Sequence, residues 1–172
     1  MPAIAKDVRA GRRKSLEQFA SATDPAAQGR LSAPDNEATF AACRLDWDET
    51  ARNVEALALH RDLIHLRRRA PFRAPRRGDV DGAVLGAEAL ALRYRGEGDD
   101  DRLLVVNLGP DLIAASLAEP LVAPAVGAAG WRVLWSSEDP AYGGGGTPPI
   151  ETETGWHLPG HAAVVLAPDR AG

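Results

Sequence analysis

The sequence predicts an α+β protein, mainly β, in which an N-terminal helical arm with one long helix packs on an antiparallel β-sandwich. Three observations predict it. Apolar residues recur at helical spacing up to about residue 70. Beyond Pro71 they fall into short runs separated by Gly, Pro and Asp, with no helix-length run between them to make parallel crossovers. The charge balance changes at the same place, from 12 Lys/Arg against 10 Asp/Glu in residues 1–70 to 8 against 14 in residues 71–172. The boundary is therefore set at Ala70 to Pro75, giving a helical segment 1–70 and a sandwich 71–172.

In the arm, Ile4, Val8, Leu16 and Phe19 are spaced to share a helix face, with Gly11 as a weak point costing about 1 kcal/mol relative to Ala. Asp24-Pro25 ends that segment, and Pro34 opens a short helical turn containing Glu37 and Phe40. The strongest local signal follows. Ala56, Leu59, Leu63, Leu66 and Ala70 repeat at alternating spacings of 3 and 4, widened by Leu57 and Ile64, which predicts one long helix. Asp48 is its expected N-cap, and Arg67, Arg68 and Arg69 suit its negative end before Pro71 stops it.

Six strands are expected after that: Ala83–Leu85, Leu90–Arg95, Leu103–Leu108, Leu112–Leu117, Trp131–Trp135 and Ala162–Ala167. Asp81-Gly82, the acidic 96–101 loop, Gly109-Pro110 and the 143–149 stretch separate them. In Leu90 to Tyr94 the larger apolar groups alternate with Ala91 and Arg93, which reads as one face in the core and one in water. Leu104, Val106 and Leu108 are likewise expected to share the core face.

Composition narrows the function classes. With 172 residues, 45% apolar and 26% charged, the chain is a globular domain rather than a disordered or fibrous one, too short for a large catalytic barrel with an accessory domain. A net charge of −4 and a pI near 5.6 argue against nucleic acid and anionic membranes as partners. Cys43 is the lone cysteine, and the opening residues lack the apolar stretch of a secretory signal, so a cytoplasmic location is expected. The nearest thing to a membrane span, Leu112 to Ala129, is interrupted by Glu119, Pro120 and Pro124, and reads as strand and loop.

Three blocks read together carry a resemblance: VRAGRRKSLEQFAS, APDNEATFAACRLDWDE and LALHRDLIHLRRRAPF. In that order they resemble the end of the malto-oligosyltrehalose trehalohydrolase family, members of the α-amylase superfamily. There, similar blocks lead from the catalytic barrel into a C-terminal β-sandwich. Val105 to Leu108 resemble the family's VVNL strand, and Trp131 to Ser136 its penultimate sheet region. The resemblance implies that residues 1–70 correspond to the end of a glycosidase barrel and that the sandwich is of the α-amylase C-terminal type. The family's catalytic carboxylates lie on barrel strands before these blocks, so none is carried over, and no catalytic residue is assigned here. A retaining glycosidase needs two carboxyls about 5–5.5 Å apart on a rigid scaffold.

Asp46, Asp48 and Glu49 flank Trp47 as sugar-holding groups do, but a helix start explains the acids and a staple to the sheet explains the ring. His60 and His65 lie about 140° apart round a helix and miss the spacing of a helical metal pair, while His157 and His161 flank a Pro159-Gly160 turn, so no metal ligand and no cofactor is assigned. Cys43 reads as a buried small hydrophobe. Gly143 to Gly146 lacks the Lys-Ser/Thr sequel of a phosphate loop and reads as a flexible loop. Trp131, Trp135, Tyr142 and Trp156 are candidates for sugar stacking; Trp131 and Trp135, at even spacing, are expected on one face, where core packing is the stronger reading. Ala56, Leu59, Leu63 and Leu66 are the candidate interface, because the sandwich cannot cover both sides of the helix.

The resulting expectation is a noncatalytic accessory module of a trehalose-forming α-glucan hydrolase, with a barrel-bearing polypeptide or a second copy as partner. A carbohydrate-binding module for α-glucans and one subunit of a split glycoside hydrolase are the alternatives.

Overall fold

The computed structural model describes residues 2–28, 30–97 and 100–170, leaving part of the acidic 96–101 loop outside the described residues. The chain divides into two compact units, 1–49 and 50–172. The first holds α1 (Pro2–Leu16), α2 (Ala20–Thr23), α3 (Pro25–Gln28) and α4 (Glu37–Ala42). α1 runs through Gly11 unbroken, but Phe19 lies beyond its end, so the expected Ile4–Val8–Leu16–Phe19 face is cut short. α4 starts later than Pro34 suggests, because the Asn36 Oδ1 accepts from the Ala38 amide at 2.9 Å and caps it. Arg9 grips Asp35 through two hydrogen bonds of 2.9 and 2.6 Å. None of the described side chains in this unit is buried.

The expected long helix is α6 (Val54–Arg67), but it starts later than a cap at Asp48 would place it. A short helix, α5 (Glu49–Arg52), precedes it, and the two are separated by Asn53 at φ −116°, ψ 53°, a residue type whose short polar side chain favours leaving the helix. α6 carries no buried residue either. The Arg67 guanidinium donates to the Phe72 carbonyl just beyond it, and Phe72, the first buried side chain among the described residues, meets Tyr94 edge-on at 4.7 Å.

Among the described residues the sandwich has eight strands: β1 (Val80–Val84), β2 (Ala89–Tyr94), β3 (Arg102–Asn107), β4 (Leu112–Ala114), β5 (Gly130–Ser136), β6 (Glu151–Thr152), β7 (Gly155–Leu158) and β8 (Ala162–Asp169). They form a five-stranded sheet, β1-β2-β3-β8-β5, and a three-stranded sheet, β4-β7-β6, with every pair antiparallel. The fold class is that expected from the sequence. β6 and β7 were not foreseen, and β4 is shorter than the Leu112–Leu117 run.

The core lies between the sheets and includes Ala91, Leu103, Val105, Trp131, Trp156, Leu158, Val164 and Leu166. This reverses the expected face assignment of two strands. Ala89, Ala91 and Arg93 face inward on β2, and Leu103, Val105 and Asn107 on β3; Leu104 and Val106 are half-buried on the other face, and Leu108 is exposed. The cause is volume. Two indoles, Trp131 and Trp156, occupy the interior, and small residues such as Ala91 leave them room at crystal-like packing density. Asn107 sits inside without cost because its amide donates to the Pro110, Leu158 and Pro159 carbonyls and its Oδ1 accepts from Gly109, lacing β3 to the end of β7.

Trp131 and Trp135 do not share a face. The pairing of β5 with β8 slips between Val133 and Trp135, a bulge at Leu134 that turns the rest of the strand over. Trp131 therefore points into the core with Ser136, and Trp135 points out.

Candidate functional site

Among the described residues, the buried arginine of the sandwich is Arg93, 9% exposed. β2 aims it inward. Its Nε donates to the Asp101 Oδ2 at 2.8 Å, and its Nη1 donates to the Leu121 and Ala123 carbonyls at 3.1 and 2.7 Å. The guanidinium carbon lies 5.5 Å from the Trp131 ring centroid, a cation–π distance. The Trp131 indole N–H in turn donates to the Val122 carbonyl at 2.7 Å, and the other Asp101 oxygen accepts from the Gly96 amide at 2.9 Å. Together these bonds clamp the 3-10 turn Pro120–Val122 over one end of the sandwich. Among the described residues no buried side-chain nitrogen or oxygen lacks a partner. Sequence reasoning placed Arg93 in water; its signal was an arginine within the apolar run Leu90 to Tyr94, eight residues before Asp101.

A second network joins the sandwich to α6. The Trp135 indole donates to the Tyr142 hydroxyl at 3.2 Å, and that hydroxyl donates to the Asp62 Oδ2 at 2.6 Å. Burial chiefly, then the hydrogen bond to Asp62, pushes the Tyr142 pKa up. A raised pKa means that the linked stability is complete below the unfolded tyrosine value of about 10 and is lost as pH rises through the folded value. In an ultraviolet tyrosinate titration, Asp62→Asn is expected to shift one tyrosine to lower pH, and Trp135→Phe, which removes the bond favouring the anion, to higher pH. Shifts of the same sign in both variants would break this network.

Of the four candidate stacking residues, Trp131 and Trp156 lie in the core, each 7% exposed, while Trp135 and Tyr142 are half-buried together with ring centroids 6.2 Å apart. The four do not form one platform. Trp156 also borders an open groove of about 270 Å³ whose walls carry Glu119, Glu151 and Glu153. Two of those acids hold backbone: Glu119 accepts from the Leu121 amide and Glu151 from the Trp131 amide, each at 2.9 Å.

The candidate interface on α6 divides as Ala56 and Leu63 exposed and Leu59 and Leu66 half-buried. Trp47 is 75% exposed, and the Asp46 Oδ1 accepts from the Asp48 amide at 3.0 Å. Cys43 is exposed at the C-cap of α4 rather than buried. His60 Nδ1 lies 2.7 Å from the Ala56 carbonyl, and His157, on β7 just before the turn at Gly160, meets Asp111 at 3.0 Å. That contact, with the Gly160 amide, draws the Asp111 carboxyl below its ordinary range. Among the described residues no three His, Cys, Asp or Glu are grouped to hold a metal ion. Gly143 to Gly146 is a bonded turn, with the Gly146 amide donating to the Glu138 carbonyl at 2.7 Å; a Cβ at Gly144 would meet the Glu138 backbone at 2.3 Å. No helix among the described residues is long and apolar enough to cross a membrane.

A family model described as a domain of unknown function (DUF3459) matches residues 77–165, just over half of the chain. The matched stretch runs from before β1 into β8 and contains the three-stranded sheet and all of the five-stranded sheet but the end of β8. A search of curated proteins found no match.

Proposed function

We propose that this chain, which belongs to the DUF3459 family, is a noncatalytic accessory module that associates with the barrel of an α-amylase-family glycosidase, the enzymes in which this domain occurs at the C-terminal end. One observation carries the association. Before Phe72 no described side chain is buried, although that stretch includes Ile4, Val8, Phe40, Trp47, Leu63 and Ile64. Apolar surface on this scale is that of a protein with a partner still to be docked. The finer reading, a cytoplasmic module of a trehalose-forming hydrolase, rests on the three sequence blocks and the lone cysteine.

The carboxylates most engaged with the protein support a noncatalytic role. Asp101 neutralises Arg93, Glu151 holds the Trp131 amide, Asp62 takes the Tyr142 proton donor and Asp111 meets His157. The pure chain is expected to release no trehalose from malto-oligosyltrehalose, and to co-purify with a co-expressed α-amylase-family barrel. Turnover that survives repurification and is lost in Asp46→Asn or Asp48→Asn would overturn the reading, as would failure to associate with any such barrel.

The second reading, an α-glucan-binding module, is favoured by the groove beside Trp156, whose acids could accept hydrogen bonds from sugar hydroxyls. Calorimetric titration with maltooligosaccharides separates the two. Heat at millimolar sugar, lost in Glu153→Ala, selects sugar binding; no heat removes it.

A further inference from the structure

The end of α6 and the segment after it concentrate positive charge, most of it without an ion-pair partner among the described residues. Seven arginines fall between positions 61 and 77, in a chain whose residues 78–172 carry 14 Asp/Glu against 5 Arg. Arg61, Arg68, Arg69, Arg73, Arg76 and Arg77 are exposed, and none has an ion-pair partner among the described residues. The dipole of α6 accounts for one or two cations in its last turn and does not reach Arg73, Arg76 or Arg77.

The segment is also held in place. Phe72 is buried against Tyr94, Arg67 bonds the Phe72 carbonyl, the Arg73 amide donates to the Arg69 carbonyl, and the Asp79 carboxylate accepts from the Arg76 amide at 2.6 Å. Because the backbone carrying these side chains is already ordered, docking would cost little further conformational entropy.

We propose that this arginine cluster, with Leu63 and Ile64, forms a docking surface for a protein face made of apolar residues ringed by carboxylates. Ile64 is 51% exposed, and on a helix it neighbours Arg61, Arg67 and Arg68 at the three- and four-residue spacings. Apolar centres edged by arginine are the composition of protein interfaces. A nucleic acid fits less well. The one aromatic in the cluster, Phe72, is occupied by Tyr94, and the acidic remainder of the unit would repel an extended phosphate track.

The inference rests on the reading of a barrel-associating module and names the chemistry of the barrel's receiving face. The test uses the full chain and two variants, Arg68→Gln/Arg69→Gln/Arg73→Gln and Ile64→Ser, each checked for an unchanged thermal melt. Fluorescence anisotropy at about 0.15 M salt measures binding of a short peptide repeating Glu-Glu-Leu-Leu, of oligoglutamate and of oligothymidylate. The mixed peptide should bind at least about tenfold tighter than the other two, and each variant should weaken it by a comparable factor. Equal or tighter binding of oligothymidylate, or no binding of the mixed peptide, overturns the proposal. Co-purification with a barrel is read in parallel. A barrel held equally by the wild type and the triple variant sinks the arginine surface and leaves the module reading standing, whereas a barrel held by neither sinks the module reading.

Discussion

Leu103→Asp is expected to leave the sandwich unfolded at room temperature, while Val106→Asp on the same strand folds and melts only slightly lower. Leu103 has no exposed surface and packs in the core between the sheets; Val106 is half-buried on the opposite face, where a carboxylate can reach water. Burying an unpaired charge at Leu103 costs more than about 4 kcal/mol, a large share of the roughly 5–15 kcal/mol that stabilises a whole domain. Circular dichroism during urea unfolding reads both variants. Equal loss in the two would mean that the register of β3 is wrong.

Arg93→Ala is expected to cost about 3–5 kcal/mol, because it strands the Asp101 carboxylate in a site shielded from water and frees the Leu121 and Ala123 carbonyls. The double variant Arg93→Met/Asp101→Asn should recover much of that loss, since a neutral pair leaves no uncompensated charge. Proteolysis gives an independent readout: in Arg93→Ala the 3-10 turn Pro120–Val122 loses its clamp and should be cut before the strands are. A single variant as stable as the wild type would remove Arg93 from its central place in the fold.

Strand and helix content was legible in the residues because period and turn chemistry act locally. Gly and Pro punctuation located six of the eight strands among the described residues, and the spacing of Ala56, Leu59, Leu63 and Leu66 located α6. Which face each strand turned inward was not legible. Leu103 to Val106 is apolar on both sides, so alternation carries no sign there, and the deciding fact is the volume of Trp131 and Trp156, contributed from distant strands. β6 and β7 escaped because Glu151 to Gly155 reads as a polar turn, with only Trp156 and Leu158 to mark the inner face. The bulge at Leu134 undid the even spacing of Trp131 and Trp135, since one extra residue moves every later side chain to the other face. Arg93 was misread because a buried guanidinium needs a carboxylate, two carbonyls and an aromatic ring from other elements.

That bulge has a second effect, on how the chain meets its own copies. β5 is one of the two outermost strands of the five-stranded sheet, β1 being the other, and an outermost strand offers an open row of amides and carbonyls to any passing strand. Here the row is irregular at Leu134, and nearer its start the Trp131 amide is already taken by the Glu151 carboxylate. A molecule that displays as much uncovered apolar surface on its helices as this one would be prone to amyloid-like stacking if its sheet rim were also straight and vacant. By spoiling this rim, the extra residue leaves recognition along β5 to side chains, which can discriminate between partners, rather than to backbone, which cannot.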